Sequence, residues 1–338
     1  MKVFVGEYVC GGGLVSQSED DVPAGLLAEG AAMLSALVSD LAEFAETVVS
    51  VDPRLAPPIN AAHLVEISQT SPLWGQWVAA ATGCDAALIV APESDGVLAQ
   101  SVAMLRAGGI DVVASSGDFL RTASDKLKTA KVLHSAGVAH PLYCATSDLR
   151  FESDLLEYQQ FVVKPRDGCG TQQILKYDSY AEARSAMTDE MILQPWMPGN
   201  AVSISLIASR SGQTFLPAVS QSISGKALTY EGGRGPLDED TQRRATSLAS
   251  RAISVMPPKA RGFVGLDVLI GERPSEDFVI EINPRLTTSY VGLRRMIQGN
   301  LAARLFDLET GPVCCIASEQ SVRWTPGGEV WVDDAVAS

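Results

Sequence analysis

Residues 262–285, GFVGLDVLIGERPSEDFVIEINPR, constrain this chain more than any other stretch. Two runs rich in β-branched and aromatic residues, 262–270 and 277–282, flank a polar segment holding a Gly and a Pro, the pattern of a β-hairpin. Successive side chains on a strand point to opposite faces. Val264, Leu266, Val268 and Ile270 therefore share one face, and Phe278, Ile280 and Ile282 share one on the second strand. Both faces are apolar and are expected to meet a core. The other faces carry Asp267 on the first strand, and Glu281 and Asn283 on the second, with Phe263 and Val279 flanking the acids. With the turn centred near Pro274, Asp267 stands opposite Glu281. Directly opposed residues have Cβ atoms about 4.5–5.5 Å apart, where like charges repel. A bound cation removes that cost. Two carboxylates and an amide oxygen are hard donors that suit Mg²⁺ sharing its shell with phosphate. The apolar flanks, and the Asn-Pro-Arg that follows directly, favour a site over a solvated sheet face.

With 338 residues the chain has room for two or three domains, and 46% hydrophobic residues argue against disorder. The net charge of −14 argues against a nucleic-acid partner bound through a broad basic surface, so any polyanion must be held locally. The six cysteines show no CxxC pairing and read as reduced thiols. Three histidines, none in HExxH or HxH spacing, argue against a histidine-ligated metal. The N-terminus MKVFVGEYV reads as a strand rather than a leader. No apolar run approaches the ~18 residues of a membrane span. The expectation is a cytoplasmic protein with no membrane partner.

Residues 1–115 alternate strand and helix. Strands are expected at 2–9, 47–51, 85–90 and 111–114, and helices at 24–42, 71–81 and 94–107. This rhythm implies a parallel sheet with helices on both faces, binding ligands beyond the carboxyl ends of its strands. Two loops fall there. One holds Glu7 and the run Gly11, Gly12, Gly13; the other, 91–96, holds Glu93. The triple glycine is not a dinucleotide motif, because Ser16 stands where GxGxxG needs its last Gly. A plain turn and a substrate-contact loop are equal readings for it, and the same holds for Glu93.

Helix 124–136, with Ser124 or Thr122 as cap, carries Asp125-Lys126. A strand at 160–165 ends in Lys164. The run Arg166 to Thr171 and a strand at 172–176 follow. Such a glycine-rich tip, with a Lys at its base, can close over phosphate oxygens through backbone N–H groups; taken on its own, it reads rather as a plain β-turn. A strand at 191–195, β segments at 201–209 and 213–224, a polar glycine-rich tract at 230–236 and a helix at 238–255 capped near Asp238 precede the opening hairpin. Helices at 287–296 and 300–308 and a tail hairpin, 321–324 with 329–332, close the chain.

The order Asp125-Lys126, FVVKP with DGCGT, LQPWMPG, GLDVLIG and VIEINPR resembles the ATP-grasp superfamily of carboxylate–amine ligases over about residues 120–300. The resemblance implies an α/β and α+β chain. An N-terminal parallel-sheet, Rossmann-like pre-ATP-grasp domain (1–118) would precede an ATP-grasp fold of two α+β subdomains, 119–195 and 196–338. It also implies ATP as the nucleotide and Mg²⁺, or Mn²⁺, as the ion. By this likeness Lys126 and Lys164 contact phosphate, Gly168, Gly170 and Thr171 belong to a lid, and Gln194, Pro195 and Trp196 read adenine. Asp267, Glu281 and Asn283 would ligate the metal, and Arg285 would hold the transferred phosphate or acyl-phosphate. The acidic residue that members often carry after the hinge glycine is missing, since Asn200, Ala201, Val202 and Ser203 stand there. No ribose contact is assigned.

GEYVCGGG, PAGLLAEGAAM, APESDGVLA and the Tyr230-Glu231-Gly232-Gly233 tract look like the tyramine–glutamate ligase branch, which joins glutamate to tyramine in methanofuran assembly. This makes Glu7, Gly12, Glu93, Tyr230 and Glu231 substrate candidates, and Glu7, Glu93 and Glu231 candidate bases. The implied partners are a small amine and an amino-acid carboxylate, with a homodimer left open. Another ATP-grasp ligase or carboxylase, and a non-catalytic ATP-binding regulator, are the competing readings. An NAD(P)-dependent oxidoreductase is disfavoured by the missing glycine motif.

Overall fold

The computed structural model describes residues 1–55, 59–168, 174–225, 228–315 and 320–334. At the N-terminus β1 (Lys2–Glu7), β2 (Glu46–Val51), β3 (His63–Glu66) and β4 (Ala86–Val90) form a parallel sheet in the order β3-β2-β1-β4. Side-chain alternation divides β1 between two cores. Val3 and Val5 pack under α1 (Ala24–Leu41) with Leu34 and Leu37. Phe4 packs with Trp77 and Leu98 of α2 (Leu73–Ala81) and α3 (Val97–Ala107). The strand expected at 111–114 shrinks to one parallel bridge, Val112 to Ala87. β3 was not expected, because its HLVE sequence is a largely exposed edge without apolar alternation. α1 has the length expected of it, but against the expectation that no apolar run approaches a membrane span it is, by length and composition, apolar enough to cross a bilayer. In the fold its apolar face instead fills the core between the N-terminal sheet and the C-terminal half.

Next come α4 (Gly117–Ala123) and α5 (Lys126–Ser135). The cap of α5 is Asp125, not Ser124 or Thr122. Its Oδ1 accepts from the backbone N–H groups of Leu127 and Lys128 at 3.0 and 3.2 Å. Oδ2 of the same carboxylate accepts from Arg166 at 2.7 Å. Lys126 is thereby fixed in the first helical turn, beside the end of the next sheet. Past the short α6 (Glu152–Leu155) lies that sheet, antiparallel and ordered β6-β5-β7: β5 (Phe161–Pro165), β6 (Leu175–Tyr177) and β7 (Met191–Pro195), with α7 (Tyr180–Ser185) between the last two.

The largest sheet contains β8 (Asn200–Ser209), β9 (Gly212–Phe215), β10 (Val219–Ser224), β11 (Thr229–Gly235), β12 (Gly262–Ile270), β13 (Phe278–Asn283), β14 (Gln320–Trp324) and β15 (Val330–Asp334). Its order is β13-β12-β8-β10-β11-β14-β15, with β9 on β8. The glycine-rich tract after residue 228 is a strand rather than a loop. Its glycines make room for Trp324 of β14: a Cβ on Gly233 would collide with the Trp324 ring and stand 2.8 Å from Ser220 O. On one face α8 (Glu239–Val255), capped by Asp238 accepting from Thr241 N–H at 2.9 Å, buries Leu248 and Ala252 against Val264 and Leu266. On the other face α9 (Ser289–Met296) and α10 (Leu301–Leu305) meet α1. Buried Asp40 of α1 joins them: Tyr290 OH donates to its carboxylate at 2.6 Å, Arg294 Nε at 2.8 Å, and Asn300 Nδ2 donates to its carbonyl at 2.8 Å.

In the β12–β13 hairpin Asp267 pairs with Glu281, as the guessed turn requires. One step later the register shifts, so that Val268 pairs with Val279. This β-bulge corrects the expected faces of β13. Val279 joins Val268 and Ile282 in the core, while Ile280 lies beside Glu281 on the cavity side.

Candidate active site

A cavity of about 1530 Å³ lies where the three sheets approach one another. Lys164, Gln194, Asp267, Glu281, Asn283 and Arg285 line it, brought together from β5, β7, β12, β13 and the turn after β13. Asp267 Oδ2 accepts from Asn283 Nδ2 at 3.0 Å, and its Oδ1 accepts from Gln221 Nε2 at 2.8 Å. Gln221 belongs to β10, two strands away from β12. It reaches Asp267 across β8, where the residue paired with Asp267 is the small Ser203. Lys126 Nζ stands 3.3 Å from Glu281 Oε2 and donates to Gly168 O at 2.9 Å.

These charges shape one another. Burial, and then the charge of Glu281, push Asp267 up to about 7. Burial pushes Glu281 the same way, but Lys126 and Lys164 outweigh it and hold that carboxyl below its ordinary range. Burial lowers Lys164 to about 8 against the pull of Glu281. Two opposed carboxylates thus share one site by leaving a proton on one and leaning two lysines on the other. That arrangement fits a divalent cation. The donor set is hard, a cation would take the place of the proton held on Asp267, and Asn283 and Gln221 orient that carboxylate.

At the far end Gln194 is buried, and Pro195 and Trp196 line the cavity where β7 hands the chain to β8. Lys176 Nζ lies 4.1 Å from the centre of the Trp196 ring, a cation–π contact. Gly170 and Thr171 lie outside the described residues; Gly168 has a positive φ of 117°.

At the other end Arg285 Nε donates to buried Glu93 Oε2 at 2.9 Å. Glu7 lines the cavity and accepts from Cys10 N–H at 2.6 Å, with its pKa raised by burial. Tyr230 lines the cavity, and its hydroxyl accepts from Trp324 Nε1 at 3.2 Å. Gly12, Glu93 and Glu231 are not among the lining residues. Gly12 packs against Ile67, where a Cβ would come within 2.6 Å of its side chain, and exposed Glu231 accepts from Ser224. Gln221, Glu29, Thr287, Thr288 and Ser289 also line the cavity and were missed from sequence. Only the helical period of residues 24–42 could have flagged Glu29, as a polar residue beside the small Ala28 and Gly30.

A parallel-sheet domain ahead of two antiparallel sheets that enclose lysines and opposed carboxylates defines the ATP-grasp class. Residues 123–289 match the ATP-grasp domain family and residues 45–118 the pre ATP-grasp 3 domain. The chain carries an ATP-grasp domain preceded by a pre ATP-grasp domain. Among curated relatives it is similar to the tyramine–L-glutamate ligase of Methanocaldococcus fervens, 24% identical over 212 residues, which is 62% of each chain. The enzyme of the same name from Methanocaldococcus jannaschii is 24% identical over 210 residues, 62% of this chain and 58% of the relative. The alignments thus span less than two thirds of those relatives. Among solved structures, an ATP-grasp superfamily protein from Archaeoglobus fulgidus superposes with TM-score 0.73 at 22% identity over 99% of both chains. The ADP complex of N5-carboxyaminoimidazole synthetase from Staphylococcus aureus gives 0.68 at 14%, over 95% of this chain and 81% of that one.

Proposed function

We propose that the protein is an ATP-dependent carboxylate–amine ligase that forms an amide through an acyl-phosphate, joining L-glutamate to tyramine or a similar amine. The observation that carries the reading is the in-register pair Asp267 and Glu281, in one cavity with Lys164 and Arg285 and within reach of Lys126. Phosphoryl transfer asks mainly for positioning and charge stabilisation. Lys126 and Lys164 supply fixed positive charge to phosphate oxygens, and Arg285 offers a planar fork to a carboxylate or acyl-phosphate. Asp267, Glu281 and Asn283 would hold Mg²⁺, which when bound would neutralise phosphate charge. An acyl-phosphate hydrolyses when wet, so an enclosed cavity has a chemical purpose. No side-chain nucleophile is needed.

The relatives named tyramine–L-glutamate ligase support the choice of substrates, as do Glu7 and Tyr230 on the cavity wall. A place in assembling a methanofuran-type cofactor belongs to the same reading. The test is phosphate release from ATP and MgCl₂ with paired pools of amines and amino acids, including tyramine with L-glutamate. The expected result is release that requires both an amine and a carboxylate. Release with neither, or with bicarbonate in place of the acid, would overturn the reading.

A further inference from the structure

Glu29 is the cavity carboxylate with no task so far. It sits on α1, lines the cavity, and among the described residues takes no hydrogen bond. The acids around it are engaged. Glu7 accepts from Cys10 N–H, Glu93 from Arg285, and Asp267 from Gln221 and Asn283, while Glu281 faces Lys126. Glu29 feels the charge of Arg285, and Tyr230 lies within electrostatic range of both Glu29 and Asp267. One compartment therefore runs from the opposed carboxylates past Tyr230 and Arg285 to Glu29.

Beside Thr288, which bonds Tyr230, three apolar residues line it. Leu26 and Met33 come from α1, and Pro326 comes from the turn between β14 and β15. That turn is pressed onto α1: a Cβ on Gly328 would stand 2.8 Å from the Ala32 Cβ. Trp324 in the same hairpin holds the Tyr230 hydroxyl. This hairpin lies beyond residue 289, where the ATP-grasp match ends. Through Pro326 it contributes to the cavity wall.

We propose that Glu29 is the anchor and proton acceptor for the ammonium group of the amine substrate, whose apolar body lies between α1 and the C-terminal hairpin. This rests on the ligase reading above and names the residue that receives its amine. An ammonium group must lose a proton before its nitrogen can attack. That proton passes to the Glu29 carboxylate. The freed lone pair forms the C–N bond to the acyl carbon, and the C–O bond to phosphorus's oxygen breaks with its electrons leaving on phosphate. A second proton moves from the attacking nitrogen to the departing phosphate, and Glu29 returns its own to water. The products are a neutral amide and hydrogen phosphate. Burial raises the pKa of Glu29, with Arg285 opposing, which suits a proton acceptor working near neutral pH.

The full-length protein is assayed with ATP, MgCl₂ and L-glutamate plus either tyramine or hydroxylamine, which is uncharged at neutral pH and needs no ammonium anchor. Glu29→Gln is expected to raise the KM for tyramine about 10–100-fold, the equivalent of one hydrogen bond to a charged group. Hydroxamate formation and the KM for ATP should stay at wild-type levels. Glu29→Asp should recover part of the tyramine reaction, and circular dichroism establishes that both variants fold. An unchanged tyramine KM in Glu29→Gln, or equal loss of both reactions, would overturn the assignment. If the wild type makes no hydroxamate from L-glutamate, the ligase reading fails with that acid, and the role of Glu29 fails with it.

Discussion

Asp267 on β12 stands directly across from Glu281 on β13, with a β-bulge immediately beyond the pair. Like charges in that position repel, and both side chains lie in a cavity walled by apolar strands. Gln221 and Asn283 orient Asp267 from two directions, while Lys126 approaches Glu281. The fold keeps the two carboxylates together with a proton on one and lysines beside the other, and a bound cation would take the place of that proton.

The proton on Asp267 competes with that cation. With Asp267 raised to about 7 by burial and by Glu281, Mg²⁺ binding should weaken about tenfold per pH unit below that point. In the metal-free protein the sign is opposite for stability. Between the ordinary Asp range and about 7 the folded state holds more protons than the unfolded one, so unfolding free energy falls as pH rises through that window. Thermal shifts with and without MgCl₂ from pH 5.5 to 8 should show a stabilisation that grows with pH. A shift that is flat across the range contradicts the assignment.

Glu281→Gln keeps the size of the side chain and removes one ligand charge. Phosphate release should fall by at least ~100-fold, as when a group stabilising transition-state charge is removed. The fold should survive, because the change also removes the repulsion with Asp267. Near wild-type turnover in a folded variant would count against the site.

Lys164 is buried and titrates near 8. A bound phosphate should raise it toward the ordinary lysine range of about 10.4. Nucleotide binding between those values should therefore take up a proton, and affinity should decline as pH rises through about 8. Calorimetry in buffers of different ionisation enthalpy measures the uptake directly. Lys164→Met should abolish it; uptake persisting in that variant would place the proton elsewhere.

The sequence disclosed the hairpin because alternation is local and period-two patterns survive without tertiary knowledge. The opposition of Asp267 and Glu281 needed only a turn position. The bulge was not legible: it depends on which of Val279 and Ile280 the core beneath can bury, and α8 supplies that core from elsewhere in the chain. Gln221 was hidden for a related reason. Its partner is reached across β8, and sheet order is a non-local property. Glu29 was masked by its own helix, whose apolar period drew attention to Leu34 and Leu37. The strand 229–235 showed in the sequence only as a polar glycine-rich tract, because glycines signal turns, whereas here they make room for Trp324. The polar residues that did emerge sat in compact motifs; those missed were brought in singly by distant elements.

One buried carboxylate ties α1 to the helices of the C-terminal half. Asp40 accepts from Tyr290 OH at 2.6 Å and from Arg294 Nε at 2.8 Å, and both Asp40 and Tyr290 are buried. Tyr290→Phe removes one donor to a charged acceptor without leaving a hole. The cost should be about 1.5–3 kcal/mol, the value of a hydrogen bond to a charged group. Arg294→Ala should cost more, about 3–5 kcal/mol, because it leaves a buried charge without its counter-ion. The two losses should not add, since both variants disturb the same carboxylate. Urea unfolding of the single and double variants measures the coupling. Because α1 carries the cavity wall as well as Asp40, the KM for the amine should rise in these variants while that for ATP holds. Equal effects on both substrates would show that the joint does not serve the amine side in particular.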